Sequence, residues 1–303
     1  MLYMKAFFWN KEEKRIRAPF RIFILILIAA VFANILSLVF DNLNELLEKS
    51  LLNFLIMAAI LFSIYIVGTY VDKRRWVDFG ITLLPIKSFF FGACLGAFLV
   101  TLIFVVMYLL GWLEISDLKY NKLSTYPFVL AFTGQIFRYL CGSVFEEAFS
   151  RGYLLINIAE GLKGKLSSSK AVFISYIITS SIFGILHIGN DNSSLLSTIN
   201  LILLGLLFGW LVVKTGKLNF AIGLHAFWNI FQNNVFGSAN SGKESIVTIL
   251  TFENSGNELW TGGSFGVEGG LLTTVAISLT LFIMMRSEIF DNNKFNQKIL
   301  KIK

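Results

Sequence analysis

Histidine is almost absent from this chain of 303 residues: there are two, His187 and His225. Cysteine is equally scarce. Cys94 and Cys141 both fall in apolar runs, which excludes a disulfide framework and any cysteine-based metal spacing. Both read as small buried hydrophobes. With three prolines, no internal repeat and no low-complexity linker, nothing divides the chain into separate soluble domains. Charged residues make up only 15% against 55% hydrophobic ones. No compact basic domain with interleaved aromatics exists, so the net charge of +7 is not a nucleic-acid footprint and no nucleic-acid partner is expected. What is abundant is apolar surface. At 34.1 kDa and a mean hydropathy of +0.70, a soluble domain could not bury it all, and lipid is the expected solvent.

The apolar runs fit an all-α, polytopic membrane helix bundle of about eight transmembrane helices in the cell membrane. Crossing about 30 Å of hydrocarbon at about 1.5 Å per residue takes about 20 residues. Spans are expected near 20–40, 51–71, 87–113, 127–158, 170–188, 195–213, 218–237 and 270–286. The fourth is too long for one crossing and should project into water. Three regions follow: helices 1–3 in residues 1–125, a core in 126–236, and an outer polar loop, last helix and basic tail in 237–303. The loop Gly237–Gly270, rich in Gly, Ser, Asn and Glu, reads as a solvated connection. Gly205 and Gly209 form a GxxxG spacing that allows close helix packing.

Lys and Arg are asymmetrically placed. The N-terminal arm, up to the start of the first span, holds Lys5, Lys11, Lys14, Arg15, Arg17 and Arg21. Lys73–Arg75, then Lys163, Lys165 and Lys170, then Lys214 and Lys217 occupy alternate connections. Arg286, Lys294, Lys298, Lys301 and Lys303 follow the last span. The other connections are acidic or nearly neutral, with Asp41, Glu45, Glu48, Glu114, Asp117, Asp191, Glu244, Glu253, Glu258 and Glu268. The positive-inside rule puts both termini in the cytoplasm. The first apolar run lacks a small-x-small cleavage site and reads as a signal anchor.

Ionisable groups inside such spans are costly and usually face a bundle interior. Both histidines lie in apolar runs read as spans. Glu146 and Glu147 stand side by side in the fourth. Glu147 and Arg151 are four apart, on one helical face, and can pair. Glu146 is rotated about 100° away and can face a different cavity. A carboxylate held ionised by Arg151 beside a desolvated one is a way to build an acid/base site; the alternative is a helix end reaching lipid headgroups. Phe183 and His187 share a face, as do His225 and Asn229. If spans four and five form a hairpin, Glu146 and His187 both stand about 25 Å above its turn, and His225 about 12 Å past Lys217. The two heights agree if the hairpin extends beyond the membrane by about two helical turns, and a common site would then sit in the cytoplasmic half of the bilayer. The polar stretch Gly189–Ser194 would then dip into the membrane, tolerable only where it lines a cavity.

The ordered pattern Glu-Glu-x-x-x-Arg (Glu146, Glu147, Arg151), Phe-x-x-x-His (Phe183, His187) and His-x-x-x-Asn (His225, Asn229) resembles the CPBP family of intramembrane endopeptidases. These are the CAAX-protease and bacteriocin-processing, or Abi, proteins related to the Rce1-type CAAX prenyl endopeptidase. The resemblance covers about Tyr126–Phe236. Ser150 departs from the pattern, since an aromatic residue often precedes the Arg-Gly. The resemblance implies a membrane endopeptidase with a cavity open to the cytoplasm and a membrane-associated peptide or protein as substrate. Glu146 would activate water, with His and Asn stabilising the oxyanion, Glu147 and Arg151 completing the catalytic set, and no cofactor. In the metal-dependent alternative, zinc would be held by Glu146, His187 and His225; no HExxH signature accompanies them.

Other functions that the residues allow are a non-catalytic scaffold or immunity protein of the same family, or a proton-coupled transporter, although no inverted repeat is visible. With eight crossings, reporter fusions at Lys163 and at Ser255 report opposite sides of the membrane. The same side at both positions overturns the eight-span topology.

Overall fold

A computed structural model describes residues 7–11, 13–40, 45–83, 86–123, 126–163 and 165–287. The helices are α1 (Ala18–Phe40), α2 (Glu45–Tyr70), α3 (Ile86–Leu109), α4 (Phe128–Glu147), α5 (Leu155–Leu162), α6 (Ser168–Ile185), α7 (Leu195–Thr215), α8 (Asn219–Asn229) and α9 (Leu271–Arg286). A π-helical turn, Ala148–Leu154, joins α4 to α5 in one unit of 35 residues. A second, Ile230–Val235, extends α8. Each run marked by hydropathy is therefore helical. Six helical units are long and apolar enough to cross a membrane: α1, α2, α3, α4–α5, α6 and α7. Phe23, Phe91, Phe98 and Leu102 point outward from them, as lipid-facing side chains do. The protein is an integral, multi-pass membrane helix bundle. Lys5, Asp41, Lys294, Lys298, Lys301 and Lys303, which enter the charge argument, lie outside the described residues.

The tightest helix pair is α3 with α8. A Cβ on Gly92 would lie 2.1 Å from the Phe220 carbonyl, one on Gly96 2.4 Å from that of Leu224, and one on Gly223 2.1 Å from that of Phe89. Backbones meet directly there. The matching order of contacts makes the two helices parallel, and they place His225 and Asn229. The expected Gly205/Gly209 contact is also present, against Ser180 and the Tyr176 ring of α6. Cys141 is buried as expected, but Cys94 is exposed on α3. A thiol needs no burial where the helix face meets lipid.

The bundle has two distinct ends. Strands β1 (Trp9–Asn10) and β2 (Arg15–Ile16) lead into the first, which holds residues 71–83 and 216–218; Leu218 N–H donates to the Gly80 carbonyl there. Arg15, Arg21 and Arg74 are buried at this end rather than spread toward headgroups. All three pair with Glu160, and Arg21 also reaches Asp72 at 2.6 Å. The Tyr153 hydroxyl, from the first π turn, donates to Asp72 at 2.8 Å.

The second end corrects the reading of residues 237–270 as a solvated loop. Strand β4 (Val247–Asn254) pairs antiparallel with β3 (Leu113–Asn121), and Asn240, Val247, Thr248, Phe265 and Glu268 are buried. The segment folds back over the bundle because its backbone finds a partner strand in the connection between α3 and α4.

Burial pushes the Asp72 carboxyl up to about 6, with Arg21 opposing. The folded protein therefore holds a proton that the unfolded chain releases near pH 4. This contribution to stability is full below about pH 4 and is lost as pH rises through about 6, a difference of about 3 kcal/mol. Melting curves in detergent between pH 4 and pH 7 should show this loss in the wild type and a flatter profile in Asp72→Asn.

Candidate active site

The first π turn carries the paired carboxylates' partner. Glu147 and Arg151 pair across one turn at 2.9 Å, both fully buried. Arg151 also donates to the Gly205 carbonyl of α7 at 3.1 Å and lies over the Phe183 ring, 4.6 Å from its centre. Its packing is tight despite Ser150, which lines a neighbouring cleft instead. Glu147 has a second partner that helical spacing does not reveal: the same Oε1 accepts from His225 Nδ1 at 3.0 Å. That bond fixes the imidazole tautomer and turns Nε2 toward Glu146, whose Oε2 lies 3.8 Å away. The gap is too long for a direct hydrogen bond. His225 is further held by stacking on Phe208, centroids 4.6 Å apart.

His187 stands outside the helix expected to contain it. Helix α6 ends at Ile185, and His187 occupies the turn that follows. Its Nδ1 donates to the Phe183 carbonyl at 2.7 Å, capping the helix end and leaving Nε2 free to face the cavity. Phe183 packs beside it at 5.0 Å, as the spacing indicated.

Glu146, His187, His225 and Asn229 line one polar cavity of about 120 Å³, joined by Asn190, Asn240, Ser241, Lys243 and Glu268. The turn 186–194 thus lines a cavity, as its polarity requires. Glu146, Phe183 and His187 also line a second cleft, apolar and about 430 Å³, between α1–α2 and α4–α6. Glu146 is the exposed member of the carboxylate pair, with 31% of its side chain accessible.

Glu268 and Asn240 were missed by sequence reasoning. Burial pushes the Glu268 carboxyl above the ordinary carboxylate range, opposed by hydrogen bonds from Ser241 and by the nearby His187 and His225. The available signals were slight: one acid inside Gly-Val-Glu-Gly-Gly before a span, and an asparagine-rich stretch after the His-x-x-x-Asn.

The polar wall of the cavity is built from the α6–α7 turn and the 237–270 segment, at the end of the bundle opposite Arg74 and Lys217. Among the described residues, no group of three or more His, Cys, Asp or Glu is placed to hold a metal ion.

A carboxylate, two imidazoles and an amide around one cavity of a membrane helix bundle are groups able to accept, donate and relay protons. Residues 128–231 match the family described as type II CAAX prenyl endopeptidase Rce1-like, so the resemblance holds over about the central third of the chain. The chain is also similar to the uncharacterized protein YyaK of Bacillus subtilis (strain 168). The two are 29% identical over 118 residues, which cover 38% of this chain and 37% of that protein. No solved structure matches significantly. The matched family is one of membrane-embedded endopeptidases, and Glu268 lies outside the matched segment.

The two glutamates should respond differently to neutralisation. Glu147→Gln leaves Arg151 buried without its ion pair and should cost about 3–5 kcal/mol. Glu146→Gln, at a partly exposed position, should leave thermal stability near wild type. Detergent melting curves of the two variants provide the comparison, and equal losses would contradict the assigned division.

Proposed function

We propose that the chain is an intramembrane endopeptidase that hydrolyses a peptide bond of a membrane-associated substrate without a metal. The observation that carries this reading is that Glu146, Phe183 and His187 line both the polar cavity and the apolar cleft. A reacting bond at their junction could be reached by water from one side while the apolar part of a substrate occupies the other. An acid/base group at such a boundary suits hydrolysis of a lipid-embedded chain.

Glu146 takes a proton from water as that water attacks the carbonyl carbon. Asn229, with a histidine, stabilises the resulting oxyanion. Glu146 then returns the proton to the leaving amine as the carbon–nitrogen bond breaks. Glu147 keeps His225 oriented, and Arg151 pairs with Glu147. By the Lys and Arg asymmetry both termini are cytoplasmic and the polar wall of the cavity faces the outer side.

Purified protein in detergent should cleave members of a peptide library presented with detergent or lipid. Glu146→Gln should lose about 10²–10⁴ of that rate. Activity should survive prolonged chelation and dialysis. Stoichiometric zinc lost together with activity would overturn the metal-free mechanism, and near wild-type cleavage by Glu146→Gln would overturn the role of Glu146.

A further inference from the structure

We infer that Glu268 is a positioning residue for the oxyanion donor: acting through Asn240, it decides which edge of the Asn229 amide faces the cavity. The inference deepens the endopeptidase reading and rests on it for its catalytic consequence.

Glu268 is 2% exposed and contributes to the cavity wall from the segment that precedes α9. Its Oε2 accepts two hydrogen bonds from Ser241, one from the backbone N–H and one from the hydroxyl, each 2.8 Å. Its Oε1 faces Asn240 Nδ2 at 3.4 Å. The same Nδ2 donates to Asn229 Oδ1 at 3.0 Å. Asn240 thus spends both amide hydrogens on acceptors, one on each side.

This relay has a single direction, and its origin is a backbone donor. A side-chain amide can turn over at little cost, exchanging donor for acceptor. The Ser241 N–H cannot turn. It demands an acceptor at Glu268, and a carboxylate supplies an acceptor at its other oxygen too. Asn240 must therefore present Nδ2 to Glu268 and to Asn229. Asn229 must answer with Oδ1, which leaves its Nδ2 for the cavity. Among the described residues that Nδ2 has no hydrogen-bond partner, and a developing oxyanion needs a donor there rather than an acceptor.

The relay is held in place on both sides. Asn190 Nδ2 donates to the Ser241 carbonyl at 2.9 Å, tying the segment to the turn that carries His187. Gln232 donates to the Ala239 carbonyl at 2.7 Å. Gly266, at φ 101°, passes that carbonyl so closely that a Cβ would lie 1.9 Å from it.

Glu268→Gln tests the direction of the relay. The glutamine oxygen must stay at the Ser241 N–H, so its NH₂ meets Asn240 donor against donor. Asn240 then turns over, and Asn229 after it, presenting Oδ1 to the cavity. The expected result is a fall in kcat of about 10²–10³, the loss typical of one oxyanion donor, with KM little changed. In an Asn229→Ala background the same substitution should cost nothing further. A full-size additional loss in that background, or wild-type kcat in the single variant, overturns the inference.

A second readout does not depend on activity. In protein labelled with ¹⁵N-asparagine, the Asn229 side-chain NH₂ signal is identified by its disappearance in Asn229→Ala. That NH₂ should exchange freely with solvent in the wild type and become protected in Glu268→Gln, where it bonds to Asn240. Unchanged exchange overturns the inference. If the wild type cleaves no peptide, the endopeptidase reading fails while the exchange measurement still decides the orientation. Should Glu268→Gln not fold, Asn240→Ala breaks the same relay and enters the same double-variant cycle, with multiplicative losses again refuting it.

Discussion

The site depends on the Glu147 carboxylate, fully buried and shared between Arg151 and His225. A charge in that position is tolerable only because two donors meet it. Through them it joins the first π turn to α8, and through the Arg151 contacts to Gly205 and Phe183 it reaches α7 and α6 as well. The orientation of the His225 imidazole, and hence the approach of Nε2 to Glu146, follows from the same bond. One carboxylate of the pair is thereby tied inside the bundle, while its neighbour faces both the polar cavity and the apolar cleft.

Two backbone features make this arrangement sterically possible. Gly92, Gly96 and Gly223 let α3 and α8 approach until backbone touches backbone, which brings His225 and Asn229 to the middle of the bundle. The π turns at Ala148–Leu154 and Ile230–Val235 follow directly on Glu147 and Asn229. Each rotates the helix beyond it relative to a regular α-helix. Arg151 can then lean onto α7, and Gln232 and Asn233 can turn to the capping segment. Placing π turns next to functional residues is a recurrent use of that geometry.

The capping segment changes the meaning of the cavity. A site that opens only sideways would meet lipid, and one that opens only at an end would meet water. Here a polar wall from 186–194 and 237–270 adjoins an apolar cleft between α1–α2 and α4–α6, with Glu146 at the boundary. At the opposite end, Arg15, Arg21 and Arg74 are locked onto Glu160 and Asp72, so these cations act as internal ties.

The sequence by itself determined what depends on local periodicity. Apolar runs of span length gave the helices, because hydrocarbon leaves backbone groups no partner but their own helix. Four-residue spacing gave the Glu147–Arg151 pair and the Phe183–His187 contact, because i and i+4 are neighbours on any α-helix. Glu147, Arg151, Phe183, His187, His225 and Asn229, candidates on three segments, were paired in the sequence in this way. Tertiary structure alone decided that His225 shares Glu147, since no spacing relates positions 78 residues apart. It decided that His187 caps α6 rather than continuing it, a matter of where the polar turn finds a cavity to line. It also decided the fate of Asn240 and Glu268. Their segment has no apolar period, and its order comes from pairing with β3 and from hydrogen bonds to groups far away in the chain. Periodicity records what a helix does with its own neighbours; the closing of the cavity was set by distant groups whose hydrogen bonds leave no spacing in the sequence.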